Sequence, residues 1–282
     1  MIDLRTIGLT FLTMIAFAGN SILCRLALRE TSIDAATFTA VRLISGAAFL
    51  LLIFGLRKTP RTTGQDWPSA IALFVYAAAF SFAYIALTAG TGALLLFGAV
   101  QLTMIATGIR NGESIRPVQI AGLGLAMAGL IYLLSPGITA PPVTSALLML
   151  AAGVAWGVYS LRGNRSPDPI RMTTKNFAAA TPFAVLLFAL CVPWVKIDTV
   201  GVLLGMASGM LASALGYVLW YTVLPSLRAI RAASVQLSVP VLAAFGGVIF
   251  LNEAITLRLA IASAVIFTGI SLVIMTRHRW PR

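Results

Sequence analysis

An arginine set inside an apolar run is the first chemistry this chain offers. Arg42 lies about six residues into the segment from Ala36 to Leu56, where a charge is costly and is normally turned toward a cavity or a partner. Its guanidinium fork matches a carboxylate with two parallel bonds, which makes it the candidate for holding the acid group of a solute. The competing reading is an interfacial arginine whose long stem carries the charge to the surface. Arg25, nearer the end of its own segment, is a weaker candidate, and a pairing with Glu30 or Asp34 would account for it.

Two amides stand in equivalent settings, Gln101 in VQLT and Gln236 in VQLS. In lipid such groups either bind a ligand or join neighbouring helices. Asn20, Ser21, Ser81, Tyr84, Thr103 and Ser238 add polar groups on other segments. Pro240, beside Gln236, removes a backbone bond and is expected to act as a hinge. Trp156, Tyr159, Tyr217, Trp220 and Tyr221 form an aromatic set. Trp156 and Tyr217 lie deepest and are placed to stack on an aromatic or apolar solute, with part of the rest expected as interfacial anchors.

The groups that other chemistries need are missing. The sequence has no HExxH and no GxSxG, and its one histidine, His278, lies in the basic tail RHRWPR. An intramembrane enzyme would need a nucleophile with its base, paired acids or metal ligands within the bilayer. Cys24 and Cys191 lack metal-ligand spacing and are expected to be buried small hydrophobes. No cofactor or metal is therefore expected. A channel would need rings of charge or a glycine filter. The acidic residues fall at segment ends or in loops, so no membrane carboxylate stands ready to relay protons. Facilitated diffusion or exchange is expected, with a substrate that is not a simple organic cation.

These residues must be positioned by helices in a bilayer. Hydrophobic residues make up 59% of the chain and charged residues 10%, outside the range of soluble domains. The apolar segments run approximately from Ile7 to Leu28, Ala36 to Leu56, Trp67 to Ala89, Thr91 to Ile109, Ile115 to Leu134, Thr144 to Leu161, Met172 to Val195, Val200 to Leu224, Ala229 to Leu251 and Leu257 to Thr276. Lone strands cannot satisfy their backbone in hydrocarbon, so each is expected to be a helix. The class is an all-α polytopic membrane protein of ten transmembrane helices. FLTMIAFAGNS imitates the core and cleavage site of a signal peptide, yet the apolar run continues to Leu28 and the segment has a counterpart in the second half.

The net charge of +12 would suit a nucleic-acid binder, but the basic residues fall in loops between apolar runs. With the N-terminus inside, only Arg25, Arg29, Arg42, Lys196 and Arg258 of the 20 lysines and arginines fall on the outer side. That asymmetry puts both termini in the cytoplasm of a cell whose inner membrane holds the chain.

The halves echo each other. VQLT at 100–103 matches VQLS at 235–238, and NGESI at 111–115 matches LNEAI at 251–255. Each glutamate is followed sixteen residues later by a glycine, Glu113 by Gly129 and Glu253 by Gly269. The linker Ser135 to Pro142 separates two units, 1–138 and 139–282. Five segments apiece is an odd number, so the second unit enters the membrane from the opposite face, and inverted repeats of this kind place a substrate site at their interface near the midplane. Gln236 and Pro240 are then expected to face Gln101 across a central cavity. By alignment of AAFLLLI with TPFAVLL, the counterpart of Arg42 is the uncharged Asn176.

AGNS at Ala18 to Ser21, Arg42, the GYVLWY run, VQLSVPV and the acidic LNE and NGE helix ends together resemble the EamA-type members of the drug/metabolite transporter superfamily. The resemblance spans nearly the whole chain. It implies alternating access between two five-helix repeats and a small-molecule substrate, with the chain working as a monomer in the lipid bilayer. It looks most like exporters of amino acids, the YddG-type aromatic amino acid exporters among them; a nucleoside or hydrophobic drug is the alternative. Many members carry a tryptophan before the first-segment glycine, whereas here Ala18 and Gly19 stand there and the tryptophan appears only in the second copy, at Trp156. If Trp156 lines the path, the cavity is roomier on the first-repeat side.

Overall fold

A computed structural model describes residues 4–55, 65–110, 116–137, 140–163, 168–227 and 235–275. The first seven helices are α1 (Leu4–Glu30), α2 (Ala35–Gly55), α3 (Trp67–Tyr84), α4 (Ala89–Arg110), α5 (Pro117–Leu134), α6 (Val143–Gly163) and α7 (Pro169–Leu190). An eighth, composite span follows, made of α8 (Thr199–Ala207), a π-helical stretch (Ser208–Leu215) and α9 (Gly216–Val223). The chain closes with α10 (Ser238–Leu251) and α11 (Leu257–Met275). Among the described residues eight helices are long and apolar enough to cross a membrane, and two shorter apolar helices, Ser238–Leu251 and Leu257–Val273, accompany them.

Local chemistry sets the ends. Asp168 and Asp198 cap α7 and α8 by accepting from the amides of Arg171 and Gly201. Prolines sit in the first turns of α3, α5 and α7, where a missing amide hydrogen is no loss. The seventh segment was expected to run to Val195, but α7 ends at Leu190 and gives way to a 3-10 turn at Val192–Trp194, where Pro193 has no amide hydrogen to continue the α-helical bonding. The ninth was expected from Ala229, a start that lies outside the described residues; Val235 and Gln236 are helical, and after a turn at Leu237 α10 runs from Ser238. Pro240 thereby falls in the first turn of α10.

The helices pair in a pattern that maps onto itself when each span is advanced by five, counting α8 to α9 as one. The pairs α5 with α11, α2 with α7 and α4 with α10 are their own images. Contact of α3 with α6 is mirrored by α1 with α8 and α9, and contact of α4 with α6 by α1 with α10. Large apolar side chains such as Phe11, Leu52, Ile131, Leu186, Phe245 and Phe250 point outward, as a lipid-facing surface requires. Between helices the contacts rest on small residues, the usual device where lipid removes the hydrophobic drive to associate.

The α5–α11 crossing shows how tight this is. A Cβ added at Gly122 would lie 2.6 Å from the Gly269 carbonyl oxygen, and one at Gly269 would lie 2.5 Å from that of Gly122. Gly124, on the same helix, has nothing within 4 Å. Gly122→Ala or Gly269→Ala should therefore destabilise the protein by about 1–3 kcal/mol, the usual effect of overpacking, and lower its melting temperature in detergent. Gly124→Ala should not lower it.

Candidate functional site

Arg42 is only 1% exposed, so its charge does not snorkel to a surface. α2 carries it into the bundle, and three neighbouring elements receive it. Its Nε donates to Ser213 Oγ in the π stretch at 3.0 Å, and its Nη2 donates to the hydroxyls of Tyr76 on α3 and Tyr217 on α9, each at 3.1 Å. Its guanidinium carbon lies 5.0 Å from the ring centroids of Tyr76 and of Phe80, which stand one turn apart on α3. Nη1 has no hydrogen-bond partner among the described residues, and no ion pair among them reaches Arg42.

That electrostatic imbalance is the site's main feature. An isolated buried charge is strongly disfavoured unless it is paired, and phenols and a serine supply dipoles but no counter-charge. Both phenol oxygens accept from the same Nη2, so each tyrosine retains its own proton to donate. Asn20 on α1 braces the arrangement: its Nδ2 donates to Tyr76 Oη at 3.0 Å, and its Oδ1 accepts from Ser208 Oγ at 2.7 Å. The π stretch makes this possible. Extra residues per turn carry Ser208 and Ser213 together onto α1 and α2, and Gly209 lies so close to the Arg42 carbonyl oxygen that no side chain would fit.

Beside the guanidinium lies a cavity lined by Phe17, Asn20, Tyr76, Phe80, Leu96, Phe97, Trp156 and Tyr217. The space is narrow, with about the room that one water needs. Trp156 and Tyr217 have ring centroids 4.6 Å apart, Tyr76 meets Trp156 at 5.1 Å, and Phe17 stands edge-on to Trp156 at 5.5 Å. Six of the eight lining residues come from α1, α3 and α4, and two from α6 and α9. All five aromatics of the expected set are buried, Trp220 and Tyr221 included, so none serves as an interfacial anchor.

The structure gathers Asn20, Arg42, Trp156 and Tyr217 at one place. Tyr159 stands one layer behind, 5.6 Å from Trp156 and 6.1 Å from Tyr217. Tyr84 packs edge-on to Phe80 at 4.7 Å and donates to the Ala89 carbonyl. Ser81 is buried but bonds back to the Ala77 carbonyl. Gln101 and Gln236 are buried on α4 and just before α10, and neither lines the cavity; Pro240 is likewise buried outside it. Ser238 is exposed and bonds the Val235 carbonyl. Sequence reasoning passed over Phe17, Tyr76, Phe80, Ser208 and Ser213. The recurrence Tyr76, Phe80, Tyr84 at four-residue spacing was a usable signal, whereas the two serines depend on a π register that residue types do not announce.

Three other expectations change. Arg25 pairs with neither Glu30 nor Asp34: its Nε donates to Glu253 at 2.9 Å, while Glu30 takes Arg29. Asp34 instead accepts from the Thr37 hydroxyl and from the amides of Lys196, Thr37 and Ala36. Partial burial pushes the Asp34 carboxyl up, but these bonds outweigh it and hold the group below the usual carboxylate range. Glu253 follows α10 at a helix end, as read from the sequence, yet it is buried. Cys24 is fully buried, but Cys191, at the end of α7, is partly exposed. Glu113 and His278 lie outside the described residues.

Comparison with known proteins gives the arrangement a family. A protein of Pseudomonas aeruginosa described as uncharacterized is 50% identical over 98% of this chain and 97% of its own length. A probable amino-acid metabolite efflux pump of Salmonella typhimurium is 23% identical over 81% of this chain and 83% of its own. The threonine/homoserine exporter RhtA of Escherichia coli is 31% identical over 58% of each. A solved crystal structure at 22% identity superposes with a TM-score of 0.62 over 95% of this chain and 99% of its own, which establishes a shared fold. The model of the EamA-like transporter family matches twice in tandem, at residues 4–135 and 143–275. The chain is a membrane transporter rather than an enzyme, and it belongs to the EamA-like transporter family.

Proposed function

We propose that this transporter exports amino acids, with Arg42 holding the substrate's α-carboxylate. The observation that carries the reading is the buried guanidinium whose Nη1 has no partner among the described residues, set behind the Tyr76, Phe80 and Tyr217 side chains that line the cavity. A carboxylate arriving there supplies the missing counter-charge. It takes Nη1 and the tyrosine hydroxyl protons, and charge-assisted bonds of this kind are about twice as strong as neutral ones. Trp156, Phe17 and Tyr217 form an aromatic wall for a bulky apolar side chain. In this conformation the cavity has room for little more than about one water, so a substrate is admitted only when the helices lining it move apart. The relatives named as an amino-acid metabolite efflux pump and a threonine/homoserine exporter point the same way.

The architecture proposed around this site is two inverted five-helix repeats, 1–138 and 139–282, giving ten spans in the inner membrane with both termini cytoplasmic. The self-mapping helix pairs and the tandem family match support the repeats, and the lysine and arginine bias supports the orientation. Alternating access proceeds by facilitated diffusion or exchange in a monomer. Gln101, Gln236 and Ser238 come from the echoing segments on α4 and at α10, and Pro240 lets α10 move against α4. Tyr84 and Ser81 extend the polar seam of α3.

Arg42→Ala should reduce amino acid transport at least thirtyfold in kcat/KM, matching the about 2–5 kcal/mol lost when one partner of a buried charge pair is truncated. Arg42→Lys should recover only part of it, because a point charge does not replace the bidentate fork. The same Arg42→Ala protein, purified without substrate, should melt no lower than wild type, since an uncompensated buried charge has been removed. Unchanged transport by Arg42→Ala would sink the carboxylate assignment, and a large fall in melting temperature would mark Arg42 as structural.

Tyr217→Phe, which deletes one acceptor of the guanidinium, should weaken substrate binding by about 1.5–3 kcal/mol, read as a tenfold or larger rise in the dissociation constant. Trp156→Ala should impair large aromatic substrates more than small ones such as threonine. In proteoliposomes, uptake of a zwitterionic amino acid should not respond to an imposed pH gradient, and a strong response would refute the uncoupled mechanism.

A further inference from the structure

Arg25 sits in a second built carboxylate site, and the chain's own Glu253 fills it. Arg25 Nε donates to Glu253 Oε1 at 2.9 Å, and the Ala89 amide, opening α4, donates to Oε2 at 2.7 Å. Arg29 Nη1 stands 3.8 Å from Oε1. A second Arg25 donor, Nη1, holds the carbonyls of Tyr84 and Ile85 at the end of α3, at 3.0 and 2.9 Å. Arg29 also takes the Leu251 carbonyl at 2.9 Å. One carboxylate thus ties α1, α3 and α4 of the first repeat to the α10–α11 turn of the second. The turn is shaped for it. Asn252 adopts the left-handed conformation (φ 50°), which asparagine tolerates, and the chain doubles back so that the Glu253 amide meets the Gly247 carbonyl at 3.0 Å. A Cβ at Gly247 would lie 2.7 Å from Glu253 Oε2, so only glycine leaves the carboxylate its seat.

This second site lies on the same seam as the first. Arg42 stacks on Phe80, Phe80 packs against the Tyr84 ring at 4.7 Å, and the Tyr84 carbonyl is held by Arg25. From Tyr76 to Tyr84 is eight residues of helix, a rise of about 12 Å along α3. We propose that Arg25 is a second carboxylate-binding station, nearer the outer mouth, and that an outgoing substrate carboxylate displaces Glu253 from it and so unlatches the outer end. This rests on the reading of Arg42 as the first carboxylate site. Glu253 is the occupant that keeps Arg25 paired and the bundle closed when no substrate has arrived. When it leaves, the α10–α11 turn loses the Glu253 ties to Arg25 on α1 and to the Ala89 amide of α4, and the Arg29 bond to the Leu251 carbonyl remains. The ligand class is a free carboxylate, so an otherwise identical carboxamide does not open the latch.

The chain carries its own reporter, because Cys24 is fully buried immediately beside Arg25. With Cys191→Ser in place, Cys24 is the only thiol of the 2 in the chain. Its rate of labelling by a membrane-impermeant maleimide, applied to the outer face of proteoliposomes, reads the state of the latch. Without substrate, Glu253→Gln should raise that rate at least tenfold, and Gly247→Ala, which keeps both charges and crowds the carboxylate, should raise it by a smaller factor. In the Glu253-containing protein, L-threonine or L-phenylalanine should accelerate labelling several-fold while the corresponding carboxamides do not. Labelling of both variants at the unmodified rate, no acceleration by either amino acid, or equal acceleration by the amides would each overturn the proposal. If Arg42→Ala abolishes uptake while the labelling results fail, the second station falls and the first stands. If Arg42→Ala transports normally, the first assignment falls whatever the labelling shows.

Discussion

An unpaired guanidinium in a low-dielectric interior is the constraint that the rest of this structure serves. Arg42 cannot be made comfortable by the protein alone. The chain surrounds it with two phenols, a serine and two aromatic faces, and no carboxylate among the described residues pairs with it. Every element that touches it must be held rigidly, because loosened dipoles would leave the charge more exposed to hydrocarbon. Hence the close approaches nearby, where Gly209 admits the π stretch to α2 and Gly46 admits Phe177 of α7. Hence also the bracing by Asn20, which ties Tyr76 to Ser208. A folded state that keeps one charge short of a partner leaves a vacancy of defined sign and geometry.

The scaffold around that vacancy is symmetric and its chemistry is not. Advancing each span by five returns the same helix pairs, yet the position matching Arg42 is Asn176 and the position matching Trp156 is Ala18. Symmetric packing gives two equivalent ways for the halves to meet, which alternating access needs. Under the proposed function, asymmetric residues give the solute one orientation within it, carboxylate toward α2 and side chain toward the Trp156 wall. The two properties do not conflict, because helix packing is set by small residues at crossings such as Gly122 with Gly269, away from the cavity.

Much of this was legible in the residues, for identifiable reasons. Apolar runs of about twenty residues admit only helices in lipid, so span positions followed directly. The VQLT and VQLS echo exposed the duplication, and Arg42, Asn20, Trp156 and Tyr217 stood out because polar or bulky groups at depth are rarely idle. What remained hidden depended on register and on distant partners. Ser208 and Ser213 reach the site only through a π stretch whose sequence, SGMLASAL, looks like ordinary helix. Glu253 stands outside the regular helices, so its burial was invisible until α1 and α4 were placed against it. Arg25 was assigned to nearby acids by proximity along the chain, whereas its partner lies 228 residues away.

The two arginines together answer a difficulty that a single one would create. At about 4 Å and an effective dielectric of about 20, a carboxylate gains roughly 4 kcal/mol from one guanidinium, and about half of that is lost by withdrawing to twice the distance. A site with one cation would bind the substrate and then resist its departure. A second cation farther along the seam changes the profile, because a carboxylate between the two is drawn to both at once. That second attraction works only while Arg25 is free of Glu253, whose own charge otherwise cancels it. On the proposed path, the field that eases the substrate outward is therefore present only when the latch is open, which links passage of the solute to opening of the bundle.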